Sequence, residues 1–287
     1  MWYLLLVSLL WAFSFGLIKT HLAGIDSAFV AATRLALSLL VFLPFLRPRA
    51  TSGRSALALV AIGAVQFGLM YLAYLASFHT LAAYQVALLT IVTPILVCLC
   101  DDAIERRIRW QALLAAALAV AGAGVIVARQ SFGQAEWIGV GLVQLSNLCF
   151  ALGQVLYRRW RLAQPQIRDR EVFGWLYLGA AATTIPLALS RTDILATARS
   201  LSGTQLGVIL YLGVLASGAA FFLWNLGAAR VSAGSLAVMN NAKTPLGVAA
   251  ALLVFDERTD LPRLLVGGAL ILVAALYAQR LEAKVSR

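Results

Sequence analysis

Long apolar stretches, each about the length of a membrane-spanning helix, recur through the whole chain. A hydrocarbon core of about 30 Å is crossed by about 20 helical residues. Backbone groups in lipid must bond internally, so helices are the structure that suits such runs. We therefore predict an all-α integral membrane protein of ten transmembrane helices. The predicted spans are Trp2–Thr20, Ala28–Leu46, Ser55–Phe78, Ala82–Cys100, Trp110–Ala128, Trp137–Tyr157, Phe173–Leu189, Leu206–Gly227, Ser232–Phe255 and Leu261–Gln279.

Composition supports a lipid bilayer as the main partner. The chain is 62% hydrophobic and 12% charged, whereas soluble domains carry about 25% charged residues. The net charge of +11 suggests nucleic-acid binding, but arginines in cytoplasmic loops explain it better, and we expect no nucleic-acid partner. Cys98, Cys100 and Cys149 lie in apolar stretches without metal-ligand spacing. We therefore expect no metal site and no cofactor.

The basic residues indicate how the chain is oriented in the membrane. They concentrate in 47–54, 106–109, 158–170 and the segment after the last span. With ten spans, all of these segments and both termini lie on one side. An excess of Lys and Arg marks the cytoplasmic side. We expect cytoplasmic N- and C-termini in a bacterial inner membrane, and a monomer is the working hypothesis for the assembly.

The two halves of the sequence resemble each other. An odd number of helices per copy makes the second copy enter from the opposite face, which is the inverted repeat of many secondary transporters. We predict a first five-helix repeat over 1–133 and a second over 134–287. The matching residues are Thr93-Pro94 and Glu105-Arg106 in the first half, and Thr244-Pro245 and Glu257-Arg258 in the second.

Several short motifs occur in an order typical of one superfamily. They are Trp11-Ala12-Phe13-Ser14-Phe15 with Lys19, then Arg34, Thr93-Pro94 with Glu105-Arg106, Phe221-Phe222-Leu223-Trp224-Asn225, and Thr244-Pro245 with Asp256-Glu257-Arg258. In these stretches the chain resembles the drug/metabolite transporter superfamily, specifically its EamA-type ten-helix permeases. Among them it looks most like the YddG-type exporters of aromatic and other amino acids. The resemblance implies a carrier with a central solute cavity.

Charged side chains inside predicted spans are candidates for that cavity, because such residues usually face a partner or a solute. Lys243 lies near the middle of the ninth span beside Asn240. It either binds a solute carboxylate or bonds to carbonyls freed by Pro245. Arg34 is close to the predicted outer end of the second span, so we expect it to snorkel to the interface or to bond to backbone carbonyls, rather than to contact a solute. No predicted span contains Asp or Glu, which favours a carboxyl-bearing or neutral solute.

Aromatic, hydroxyl and amide side chains complete the predicted cavity. They would supply ring surface and hydrogen bonds to a solute, although such side chains also serve helix packing and interhelical hydrogen bonding. Pro94 and Pro245 are predicted hinges, because a mid-helix proline removes a backbone hydrogen bond. The further cavity residues are Ser14, Gln66, Tyr71, Tyr74, Phe78, His79, Asn147, Gln154, Trp224 and Asn225.

These features favour a secondary carrier that exports amino acids, aromatic ones included, by alternating access. An exporter of other small metabolites or drugs is the alternative. Nucleotide-sugar and phosphate-ester carriers would need more buried basic groups. A membrane enzyme is disfavoured, because the sequence contains no HExxH motif and no intramembrane aspartate pair. We therefore predict a transporter and not an enzyme.

Overall fold

A computed structural model of the protein describes residues 2–106, 134–228, 246–258 and 260–285, together with 110, 114, 117–118, 121–122, 125 and 244. All regular structure in these residues is helical, as predicted. Within them, seven helices are long and apolar enough to cross a membrane. They coincide with predicted spans one to four and six to eight: Leu5–Leu22, Ser27–Phe45, Gly53–Ser77, Ala83–Ile104, Gln134–Ala163, Asp169–Arg191 and Gly203–Gly227.

The other three predicted spans are described only in part. Most of the fifth lies outside the described residues, and the ninth is described as a helix over 246–253. A helix of 25 residues, Leu261–Val285, occupies the tenth. The ten-helix count, the inverted repeat and the division at residue 133 therefore stay predictions.

Several spans are composed of more than one helical segment. The α-helices are α1 (Trp2–Leu17), α2 (Ser27–Phe42), α3 (Gly53–Gly63), α4 (Met70–Ser77), α5 (Ala83–Leu89), α6 (Thr93–Ile104), α7 (Gln134–Ala163), α8 (Asp169–Arg191), α9 (Ile194–Ser200), α10 (Gly203–Leu210), α11 (Ala220–Ala228) and α12 (Leu261–Val285). Wider π-helical segments, Ile18–Leu22, Ala64–Leu69 and Tyr211–Ala219, continue α1, join α3 to α4 and join α10 to α11. Such π segments often mark functional sites.

Polar residues at the ends of the apolar runs determine where several helices begin. Asp26 accepts a hydrogen bond of 2.9 Å from the backbone N–H of Phe29 and so caps α2. At the start of α10, Ser202 and Gln205 each bond the other's backbone N–H, at 3.2 and 3.0 Å. These caps satisfy N–H groups that a helix leaves unpaired in its first turn.

Two glycines let the backbones of α3 and α8 touch. A Cβ atom added to Gly63 would lie 1.9 Å from the carbonyl oxygen of Leu176. A Cβ atom on Gly179 would lie 1.9 Å from the carbonyl oxygen of Val60. Small residues allow this close approach between helices in lipid, where packing rather than hydrophobic burial drives association.

The fourth span contains a break next to Pro94. It changes from α5 to a 3₁₀ turn at Thr90–Val92 and then to α6, in which Pro94 is the second residue. Proline has no N–H to donate to the carbonyl of Thr90. The backbone N–H of Thr93 and its hydroxyl donate to that carbonyl instead, the hydroxyl at 2.6 Å. The role of Pro94 as a hinge stays a prediction.

Candidate functional site

A cavity lies between the first, second, third, fourth, sixth and eighth spans. Both halves of the chain contribute to its wall, and the side chains are mainly aromatic, hydroxyl and amide. Of the described residues around it, one is charged and none is acidic. The lining residues are Trp11, Ser14, Phe15, Arg34, Met70, Tyr71, Tyr74, Thr90, Thr93, Ser146, Asn147, Phe150 and Phe221.

Arg34 is the charged residue in this wall, and it is 2% exposed. Its Nε donates a hydrogen bond of 2.5 Å to the hydroxyl of Ser217. Its Nη2 donates one of 3.0 Å to the hydroxyl of Tyr71. The guanidinium carbon also lies 4.2 Å from the centre of the Tyr71 ring. Contrary to what the sequence suggested, the side chain therefore neither snorkels to the interface nor bonds to carbonyls of the described residues, because two hydroxyls hold it inside the protein.

The same network leaves two hydrogen-bond donors without a partner in the described structure. Arg34 Nη1 is buried and makes no hydrogen bond to any described residue. The Tyr71 oxygen accepts from Arg34 and, at 2.9 Å, from Ser217, which leaves its own O–H proton able to donate. A guanidinium N–H and an adjacent phenol O–H are donors that suit a carboxylate.

One of the two partners of Arg34, Ser217, belongs to the π-helical segment Tyr211–Ala219. The hydroxyl of Tyr177 donates to the carbonyl of Ser217. The hydroxyl of Ser38 donates to the carbonyl of Gly213 at 2.8 Å. A π-helix displaces carbonyls from their usual α-helical partners, and these hydroxyls satisfy the displaced groups. The segment therefore fixes Ser217 at the level of Arg34.

A second polar group comes from the fourth and sixth spans. Asn147 Nδ2 donates a hydrogen bond of 2.9 Å to the carbonyl of Leu89, beside the break in the fourth span. Asn147 Oδ1 accepts a longer bond of 3.3 Å from the Thr93 hydroxyl. Ser146, 4% exposed, lines the cavity beside it and makes no hydrogen bond that the described residues provide. This group can both donate and accept hydrogen bonds.

Aromatic rings lie between the two polar groups. The centre of the Phe221 ring is 6.2 Å from that of Tyr71 and 5.7 Å from that of Phe150. It is also 4.8 Å from the Trp11 ring, and Trp11 Nε1 donates to the carbonyl of Ala216 at 2.8 Å. The middle of the cavity is therefore apolar and suits a hydrophobic part of a solute.

Four of the predicted cavity residues, Ser14, Tyr71, Tyr74 and Asn147, line the cavity together. Others are buried near it but serve packing. Trp224 packs its ring 5.2 Å from that of Trp11, and Asn225 donates to the carbonyl of Phe221 at 2.9 Å. Gln66 packs against Gly153, where an added Cβ would lie 2.2 Å from the Gln66 Cβ.

The remaining predicted residues lie elsewhere. Phe78 and His79 line a smaller cavity near the end of the third span, where Lys19 donates to the Phe78 carbonyl at 2.7 Å. Gln154 is half-buried outside the central cavity. The predicted residues Asn240, Lys243 and Pro245 lie outside the described residues. Any role of the predicted residues in solute binding stays a prediction.

Comparison with known proteins identifies relatives over nearly the full length. The EamA-like transporter family profile matches residues 1–128. A probable biotin transporter of Pseudomonas aeruginosa is 43% identical, covering 97% of each chain. The biotin transporters of Escherichia coli K12 and Salmonella typhimurium are each 38% identical, covering 96% of this chain and 92% of theirs. A crystal structure 17% identical matches the fold with a TM-score of 0.66, covering 99% of this chain and 98% of its own.

These similarities confirm the predicted superfamily and the prediction of a membrane transporter. They do not support the narrower resemblance to amino acid exporters, because the relatives are named biotin transporters. The family and the relatives are transporters, which agrees with the prediction that the chain is not an enzyme. The inner-membrane location and the side of the termini stay predictions. The chain belongs to the EamA-like transporter family of the drug/metabolite transporter superfamily.

Proposed function

We propose that this protein is a biotin carrier that moves its solute across the membrane by alternating access through the central cavity. The observation that carries the proposal is Arg34, a buried cation in the cavity wall whose Nη1 bonds to none of the described residues. Burying a charge without an opposite charge is unfavourable by several kcal/mol. A solute carboxylate would offset this by forming charge-assisted hydrogen bonds with the guanidinium.

The charges of the cavity favour biotin over an amino acid. Biotin carries one carboxylate and no cationic group, whereas an amino acid also carries an ammonium group. The described lining residues include Arg34 but no Asp or Glu, so an ammonium group would have no carboxylate partner among them. We therefore replace the amino acid expected from the sequence with the solute named for the relatives.

The apolar part of the cavity suits the rest of the molecule. Biotin joins its carboxylate through an aliphatic chain to a sulfur-containing bicyclic ring. The rings of Trp11, Tyr71 and Phe221 provide aromatic surface, and Met70 adds a polarisable thioether. Such surfaces bind apolar groups and make favourable contacts with sulfur. With the carboxylate at Arg34, the aliphatic chain and the bicyclic ring of biotin would contact these side chains.

Transport by the purified protein in liposomes tests the proposal. We expect saturable uptake of radiolabelled biotin. Unlabelled biotin should inhibit this uptake, and phenylalanine should not. Arg34→Gln should lower uptake at limiting biotin about a hundredfold, because about 3 kcal/mol of charge-assisted hydrogen bonding is lost. Arg199→Gln, which removes an exposed arginine of α9, is the matched control and should transport normally.

Two outcomes would contradict the proposal. Uptake of phenylalanine without any uptake of biotin would favour an amino acid exporter over a biotin carrier. Normal biotin uptake by Arg34→Gln would remove Arg34 from solute binding. Efflux from biotin-loaded liposomes, measured in the same preparation, tests whether the cavity operates in both directions.

A further inference from the structure

We propose that Ser146 and Asn147 form a second subsite, which recognises the neutral cyclic urea at the end of biotin opposite its carboxylate. This inference rests on the proposed function and names the residues that determine specificity for one part of the solute. It concerns a group of side chains from the sixth span, whereas the carboxylate is assigned to Arg34 of the second.

The hydrogen bonds of Asn147 determine what its side chain can still offer. Its Nδ2 is used by the carbonyl of Leu89 at 2.9 Å and by Gln144 Oε1 at 3.4 Å. From the described part of the chain, its Oδ1 accepts only the 3.3 Å bond from Thr93, and the Thr93 hydroxyl makes a shorter bond of 2.6 Å to Thr90. The Asn147 oxygen is therefore a buried acceptor with capacity for a further donor.

Ser146 adds the complementary group at the adjacent position. It is 4% exposed and lines the same cavity. Its hydroxyl makes no hydrogen bond that the described residues provide, so it can donate to a solute oxygen and accept from a solute N–H. Buried polar groups usually have a partner, and a bound solute would supply one.

A cyclic urea matches this pair of side chains. It presents N–H donors on both sides of one carbonyl acceptor. Asn147 Oδ1 would accept from an N–H while the Ser146 hydroxyl donates to the carbonyl. A carboxylate would fit poorly, because an amide oxygen at Asn147 would face its negative charge. The two ends of the solute therefore have different sites, and biotin can bind in one orientation.

The position of the aromatic rings separates the two subsites. Phe150 follows Ser146 by one helical turn in α7, and its ring centre is 5.7 Å from that of Phe221. Phe221 in turn lies 6.2 Å from Tyr71, which contacts Arg34. A solute that uses both polar groups must have an apolar middle to pass these rings. Biotin has this arrangement, and a short hydroxy acid does not.

Competition against labelled biotin in proteoliposomes tests the subsite. The competitors are dethiobiotin, which has both a carboxylate and a cyclic urea, and octanoate, which has only a carboxylate. We expect Ser146→Ala to weaken inhibition by dethiobiotin roughly five- to tenfold, the effect of one neutral hydrogen bond. Inhibition by octanoate should not change. Ser190→Ala, an exposed serine near the end of α8, is the control and should alter neither.

Asn147→Leu removes the acceptor at similar volume and should weaken inhibition by dethiobiotin at least as much. It also breaks the bond to Leu89, so its thermal midpoint is measured alongside. Unchanged inhibition by dethiobiotin at a wild-type midpoint would overturn the role of the Asn147 oxygen. Ser146 has no protein partner to lose among the described residues, so Ser146→Ala tests the subsite by itself.

The outcomes distinguish this subsite from the proposed function. Equal effects of Ser146→Ala on dethiobiotin and octanoate, or no effect on either, would overturn the urea subsite while biotin transport stands. Arg34→Gln should weaken both competitors alike. Absence of biotin uptake by the wild-type protein would overturn the proposed function and the subsite together.

Discussion

Glu257 caps the helix that begins at Ala83: its Oε1 accepts a hydrogen bond of 2.8 Å from the backbone N–H of Ala83. Its other carboxylate oxygen accepts one of 3.0 Å from the N–H of Tyr84. A carboxylate at a helix N-terminus satisfies unpaired N–H groups and interacts favourably with the helix dipole. Glu257 therefore holds the start of the fourth span in place. This end of the span lies on the side of the membrane that the charge pattern predicts to be outward.

We expect Glu257→Gln to increase the access of reagents to the outward end of the carrier. The amide keeps one acceptor oxygen but loses the charge and should weaken the cap by about 1 kcal/mol. In a Ser77→Cys background, at a fully buried position near the same end of the third span, labelling by a membrane-impermeant thiol reagent should become about fivefold faster. The native cysteines Cys98, Cys100 and Cys149 are buried.

Asp193→Asn is the matched control for this experiment. Asp193 also caps a helix, α9, by accepting from the N–H groups of Leu195 and Ala196 at 3.0 Å. Among the described residues it makes no such bond to the fourth span, so labelling at position 77 should keep its original rate. An unchanged rate in Glu257→Gln would show that the cap does not restrict access on this side.

The contact between α3 and α8 should tolerate no side chain at Gly179. Gly179→Ala would place a methyl group 1.9 Å from the Val60 carbonyl oxygen, so the helices must separate. Overpacking of this kind destabilises by about 1–3 kcal/mol. We expect a lower thermal midpoint for the detergent-solubilised protein, measured by tryptophan fluorescence.

Gly207→Ala, where an added Cβ would meet no atom within 4 Å, should keep or raise the midpoint. Equal midpoints for the two variants would contradict the backbone contact.

Ser217→Ala should impair biotin binding although we assign Ser217 no contact with biotin. Its hydroxyl accepts from Arg34 and donates to Tyr71, so its loss removes a hydrogen bond that orients the guanidinium. Bonds to charged groups contribute about 1.5–3 kcal/mol. The expected result is a rise in KM of roughly tenfold or more, with a smaller change in maximal rate. Thr184→Ala removes an equally buried hydroxyl, whose bond among the described residues is to the Ala180 carbonyl within α8, and should leave KM unchanged.

Pro94→Ala should slow transport while binding persists. Alanine restores an N–H that can donate to the Thr90 carbonyl, so the 3₁₀ turn at Thr90–Val92 can become regular α-helix. If the break is a hinge, the maximal rate should fall several-fold with little change in biotin affinity. Pro186→Ala, inside α8 and outside the cavity, is the control. A normal maximal rate for Pro94→Ala would contradict the hinge, and the corresponding prediction for Pro245 can be tested in the same way.

Span positions were predictable because they depend on local composition. Apolar runs of about 20 residues need no knowledge of the tertiary structure, and the seven described spans match the predictions. Asn147 and Tyr71 were predicted for the cavity because polar and aromatic side chains are conspicuous within apolar runs. These residues form part of the cavity wall in the structure.

Arg34 and Ser146 illustrate what the sequence does not contain. The depth of Arg34 follows from Ser217, which is 183 positions away in the chain, and from the π-helical segment that places Ser217. The position of Arg34 within its predicted span does not reveal a partner so distant in the sequence. Ser146 resembles the many serines that serve helix packing. That no described side chain or backbone group bonds to its hydroxyl becomes apparent only in three dimensions.

Arg34 depends on both halves of the chain, since Tyr71 belongs to the first and Ser217 to the second. Two fragments divided near residue 133 and synthesised separately would each possess an incomplete anchor. Neither fragment would retain the solute alone, and recognition would return only when the fragments associate. Binding of the solute therefore requires that the two parts of the carrier have assembled correctly, and it is also the first step of transport.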